Sequence, residues 1–122
     1  MVRRADGLDL GIYGSLSPSR LVIPLDTHVA FLGRALGWTR RRAPDWTMAA
    51  EITDVLRGLD PDDPVKYDWS LPRLGILGEC AERGHAVHCP PCPLVAHCRV
   101  GRRLLKSAKV VPADLETGVP CR

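Results

Sequence analysis

Apolar residues in the first half of this chain recur at helical spacing. His28, Phe31, Leu32, Ala35 and Leu36 stand at i, i+3, i+4, i+7 and i+8, one face of a helix. Asp26 or Thr27, both good N-cap types, opens that helix, and Gly37 suits the left-handed position past its end. A second helix is predicted from about Asp45 to Arg57, with Met48, Ala49, Ile52, Val55, Leu56 and Leu59 as its buried stripe and Gly58 ending the run. Asp60-Pro61-Asp62-Asp63-Pro64 reads as a rigid turn whose last two residues start a third helix running toward Gly78. Pro72 conflicts with that helix, because a mid-helix proline removes a donor and clashes one turn back, at about 3 kcal/mol. The helix therefore kinks there, or it ends and restarts with Pro72 in a first turn. Tyr67, Leu71, Leu74 and Leu77 are its expected buried edge. Residues 1–25 read as irregular, with a turn around Ser15, Ser17 and Pro18 and a short apolar run, Leu21-Val22-Ile23, that Pro24 ends. There is no internal repeat. The expected fold is all-α: a helical segment over 1–78, a cysteine loop over 79–100 and a basic tail over 101–122.

The cysteines change this picture most. Cys80, Cys89, Cys92 and Cys98 are spaced C-x8-C-x2-C-x5-C, and thiolates are soft ligands for iron–sulfur clusters and zinc. Structural zinc sites usually show two short knuckles. Here Cys89 and Cys92 form the one short knuckle, with a distant cysteine on each side, a layout that suits a [4Fe-4S] cluster and leaves zinc open as the alternative. His85, His88 and His97 are read as loop residues beside four available thiolates, and Cys121 as a thiol without a partner in sequence. Residues 1–25 hold arginines, prolines and glycines instead of the continuous apolar core of a secretory signal. A reducing, cytoplasmic setting is therefore expected and disulfides are not. No stretch approaches the roughly 20 apolar residues of a membrane span, so no membrane partner is expected.

The 122 residues have a formal charge of only +3, unevenly placed. Residues 1–42 carry seven basic and three acidic groups, residues 43–82 three and nine, and residues 83–122 seven and two. The cluster region is thus a positive island holding Arg83, Arg99, Arg102, Arg103, Lys106 and Lys109, with no acid between Glu82 and Asp114. Such an island fits a phosphate-backbone footprint, in which affinity comes from counterion release. It also fits a solvated tail.

With these residues assembled, the chain resembles the second half of the helix-hairpin-helix DNA glycosylase superfamily of the endonuclease III type. Leu25-Asp26-Thr27-His28-Val29, a helix ending at Leu36-Gly37, and a helix running into a cysteine loop carry the resemblance. The stretches Val2 to Gly11, Pro24 to Val29 and Asp60 to Trp69 are similar to an uncharacterised branch of that superfamily. The resemblance implies a DNA-repair-like protein in which Asp26 is the catalytic carboxylate and Cys80, Cys89, Cys92 and Cys98 hold a structural cluster. It places Arg99, Arg102, Arg103 and Lys106 where DNA phosphates would lie. Two departures accompany it. The first cysteine gap is x8 in place of x6, and no lysine precedes Lys66, so Schiff-base chemistry on the sugar is not implied. The proline-glycine hairpin is also absent from Leu10-Gly11-Ile12-Tyr13-Gly14. Trp38, Trp46, Trp69, Tyr13 and Tyr67 are the aromatic candidates for a base pocket, though each also suits a core. Since that domain is about twice this length, the resemblance implies a C-terminal half that would expose apolar surface, self-associate, or need its missing N-terminal helices. Two further readings stay beside it: a non-enzymatic nucleic-acid-binding iron–sulfur module, and a zinc-stapled interaction domain.

Overall fold

The computed structural model describes Gly7 and residues 10–80 and 87–107. Among the described residues the chain is all-helical, with four α-helices, a short 3-10 turn at Pro18–Arg20 and no strand. The helices are α1 (Thr27–Leu36), α2 (Trp46–Leu59), α3 (Ser70–Ile76) and α4 (Arg99–Ser107). The hub is α1, which packs against each of the other three.

Both ends of α1 follow from local chemistry. Asp26 is its N-cap, with Oδ1 accepting the Val29 N–H at 2.6 Å, which satisfies one of the otherwise unpaired first-turn donors. Gly37 ends the helix at φ 79°, its N–H donating back to the Arg34 and Gly33 carbonyls. The same Gly33 oxygen also accepts the Trp38 N–H at 2.8 Å. The chain leaves α1 in a turn pinned by buried Thr39, whose hydroxyl donates to Glu51 at 2.5 Å and accepts the Arg41 N–H.

Asp45 caps α2, accepting the Met48 N–H at 2.9 Å. Arg41 grips the same carboxylate through two hydrogen bonds of 2.6 and 3.0 Å, and this pairing, followed by the Met48 N–H, holds the Asp45 carboxyl below its ordinary range. The native value is the lower one, so the stabilisation is present above about pH 4 and is lost as pH falls through the depressed value. Asp60, ion-paired with Lys66, is shifted in the same direction. Thermal melts followed by circular dichroism should therefore show Tm falling as pH drops below about 4. Asp45→Asn, which keeps a capping acceptor but neither titrates nor pairs with Arg41, should flatten part of that fall. A variant whose pH profile overlays the wild type would contradict this account.

The core joins Ile23, Val29, Ala30, Met48, Ile52, Leu56 and Val65, with Leu21, Leu25, Trp38, Tyr67 and Leu71 against its edge. Close approach of α1 and α2 depends on Gly33: a Cβ there would lie 2.6 Å from Ile52 Cδ1. Buried Thr53 accepts the Ile23 N–H at 3.0 Å and donates to the Ala49 carbonyl at 2.7 Å, tying the extended segment before α1 to α2.

Several expectations are corrected. On α1, Leu32 and Ala35 are buried as expected, but Val29, Ala30 and Gly33 are buried too while His28, Phe31 and Leu36 are only half-buried. The helix is covered on two sides, by α2 and α3, and a single-face template finds only part of that arc. Leu59 is 64 % exposed at the end of α2, which runs through Gly58. Pro64 does not start a helix. Residues 64–69 form turns, and α3 begins at Ser70 with Pro72 in its first turn, where a missing N–H costs nothing. Leu77, expected inside, is 60 % exposed. The start of the expected basic tail is helical, as part of α4.

Candidate metal and nucleic-acid interface

Cys80 arrives directly from α3, its N–H donating to the Leu74 carbonyl at 2.8 Å beyond Gly78. Gly78 adopts φ 73° and reverses the chain there. Cys89 and Cys92 close one tight turn through the Cys92 N–H and the Cys89 carbonyl at 3.2 Å. Pro90, Pro91 and Pro93 stiffen it by fixing φ. Further turns follow, with the Val95 N–H on the Cys92 carbonyl and the Cys98 N–H on that of Leu94. Cys98 then acts as the cap of α4. Its carbonyl accepts the Arg102 N–H at 3.0 Å, and its Sγ accepts the Gly101 N–H at 3.3 Å. Gly101 is buried against this sulfur and Val95; a Cβ there would lie 3.0 Å from Val95 Cγ2 and 3.7 Å from Cys98 Sγ.

All four cysteines are half-buried and no disulfide joins them. They share one neighbourhood. Burial pushes the Cys80 thiol up to about 11, and the thiols of Cys98, Cys89 and Cys92 each add to the rise as like charges. A metal at Cys80 would have to displace its proton. Among the described residues, no three His, Cys, Asp or Glu side chains stand close enough to hold one metal ion. The four thiols are donors of a type that suits either zinc or an iron–sulfur group. His88 and His97 are exposed in the turns. His85, Arg83, Lys109 and Cys121 lie outside the described residues.

The cations that follow Cys98 are ordered by α4. Arg99, Arg102, Arg103 and Lys106 fall at i, i+3, i+4 and i+7, one face of the helix, while Val100, Gly101, Leu104 and Leu105 take the other. The four line a shallow open groove of about 560 Å³ with Ser107. Among the described residues none of them pairs with an acid. Arg99 has a second role: its guanidinium lies over Gly37, where a Cβ would sit 3.0 Å from Nη2. That places a positive charge at the carbonyl end of α1, a favourable position beside the helix dipole, and docks α4 on α1.

Asp26 sits at the opposite end of α1, about 15 Å along the axis by the rise of ten residues. It is exposed and engaged as a cap. The aromatic candidates divide: Trp38 and Tyr67 pack on the core edge, whereas Trp46, Trp69 and Tyr13 are exposed, Trp46 most of all at 74 %. Trp69 carries Arg73 over its ring at 5.1 Å. The i, i+4 cation spacing of α4 was a signal available in the sequence; the Gly37–Arg99 contact was not.

Comparison with known proteins places residues 1–77 in the family described as protein of unknown function (DUF2400). The chain belongs to that family. Neither a curated protein nor a solved structure matches it. This corrects the resemblance to helix-hairpin-helix DNA glycosylases, because the match over α1 to α3 is to a family of unknown function. The Leu25-Asp26-Thr27-His28-Val29 pattern that suggested it is what any capped, amphipathic helix start produces here: a capping carboxylate followed by half-buried and buried positions. The catalytic role of Asp26 came with that resemblance and is not carried forward. The matched segment stops before Cys80, so the cysteine loop and α4 must be read from their own chemistry.

Proposed function

We propose that this member of the family is a non-enzymatic, iron–sulfur-binding module that contacts nucleic acid through α4. One observation carries the reading: Cys98, last of the four thiols, is also the cap of a helix whose exposed face carries four cations and, besides them, only Ser107. A group held by Cys80, Cys89, Cys92 and Cys98 would fix that helix start and so present Arg99, Arg102, Arg103 and Lys106 as a rigid row. The cluster's part is structural, crosslinking the end of α3 to the start of α4. A row of about 10 Å, seven residues at the helical rise, suits successive phosphates better than it suits a single small anion. A zinc-stapled interaction domain is the second reading, and metal content separates the two.

Binding should be electrostatic, with log affinity falling linearly against log salt. Arg102→Ala with Arg103→Ala should lower that slope by roughly 1.4–1.8, two phosphates' worth, as read by fluorescence anisotropy across a salt series. Absence of binding at low ionic strength, or a slope unchanged by the double substitution, would remove the nucleic-acid part of the reading.

A further inference from the structure

The cationic surface does not end with α4. Arg99 rests on Gly37, and Arg40 follows Gly37 by three residues, within about 10 Å even if the chain is extended. One turn before Gly37, Arg34 donates to the carbonyl of Arg42 at 3.5 Å, so the returning limb of the α1–α2 turn lies against the same end of α1. Thr39, buried and bonded to Glu51 and to the Arg41 N–H, holds this turn in place. Arg41 is neutralised by Asp45, but Arg40 and Arg42 are exposed and have no acidic partner among the described residues. The turn ends at Trp46, the first residue of α2, whose side chain is the most exposed large apolar group described.

We infer that the α1–α2 turn is a second contact of the same interface and that its ligand is single-stranded nucleic acid, with Arg40 and Arg42 on phosphates and Trp46 stacked on an unpaired base. The inference rests on the nucleic-acid reading of α4 and adds the substrate class to it. Cations alone suit any polyanion, and a duplex hides the faces of its bases. An exposed indole at the end of an arginine turn suits the combination of charged groove and stacking platform that single strands require. An anionic membrane would also accept cations beside a tryptophan. However, the α4 face next to this turn offers only charged side chains and Ser107 to its groove, with no apolar group to enter lipid.

The test uses the full chain and three probes: an oligothymidylate of about 12 nucleotides, within the usual site size, a duplex of equal length, and phosphatidylserine vesicles. Trp46→Ala should weaken single-strand binding about five-fold or more while leaving duplex affinity within about two-fold, and Trp46→Phe should restore most of the loss. Arg40→Gln with Arg42→Gln should lower the single-strand salt slope by about 1.4. Tryptophan at this exposure is not needed for folding, and unchanged melts should accompany each variant. Equal losses on single strand and duplex, or no loss on either, overturn the inference while leaving α4 as a phosphate site. Vesicle binding that depends on Trp46, with oligonucleotide binding indifferent to it, overturns it in favour of a membrane. If the wild type binds neither oligonucleotide but the iron is present, the α4 reading itself has failed.

Discussion

Cys92→Ser should bleach the protein. Prepared without oxygen and with iron in excess, the wild-type chain is expected to carry about four iron and four sulfide atoms and to absorb in the visible range. The serine variant should lose most of both, because a hard hydroxyl replaces a soft thiolate inside the tight turn that Cys89 and Cys92 close. Folding should suffer with it. The turns from Cys89 to Cys98 bury little apolar surface, and α4 buries only Gly101. Metal binding is then a large share of the free energy that orders this region. Circular dichroism should report helix loss of about the size of α4, while the α1–α2 core, which shares no residue with the loop, should still melt cooperatively. Nucleic-acid affinity should fall together with iron content, since Cys98 caps the cationic helix. Stoichiometric zinc without iron under these conditions would sink the cluster and leave the zinc-stapled domain. A variant that keeps its iron would remove Cys92 from the ligand set.

The elements of this fold were legible where a cap and a period agree. Asp26 and Gly37 bound α1 because one supplies a carboxylate to an unpaired N–H and the other tolerates positive φ. Pro72 was legible as a conflict that either a kink or a new helix start would resolve, and α3 takes the second course. What could not be read was which helix would lie on which. Gly33 and Gly75 look like weak helix residues in the sequence, yet both are sites where a neighbouring side chain enters. Val29 and Ala30 are buried in the cluster with Met48, Ile52 and Leu56 of α2, an arc that the one-face pattern through His28 and Phe31 does not contain. The candidate site divided in the same way. The crowding of four thiols and the i, i+3, i+4, i+7 spacing of Arg99, Arg102, Arg103 and Lys106 stand in the sequence itself. The docking of Arg99 on Gly37, which links the cysteine region to the Arg40-Arg41-Arg42 turn, is long-range and left no local trace. The likeness of Leu25 to Val29 to a catalytic motif misled because a helix start uses the same residue types for stability.

Gly75→Ala should be among the most destabilising single-methyl additions in the chain. A Cβ at Gly75 would fall 2.1 Å from His28 Nδ1, 2.8 Å from Cγ and 3.0 Å from Cε1. The obstacle is a ring held at the junction of α1 and α3, so relief requires either a new His28 rotamer or separation of the two helices. Overpacking of this kind costs about 1–3 kcal/mol, which for a domain of this size lowers Tm by several degrees. The cause is separable from the loss of glycine itself. Alanine is the better helix former by up to about 1 kcal/mol, so propensity alone predicts the opposite sign. His28→Ala clears the space, and the double variant should recover most of the loss, giving a favourable coupling of about 1 kcal/mol or more between contacting positions. The same cycle measured with Gly58→Ala, where an added Cβ meets nothing, should show simple additivity. If Gly75→Ala proved neutral, or if its cost survived removal of His28, then α1 and α3 would not meet through this pair. The route by which α3 carries the chain to Cys80 would then need a different support.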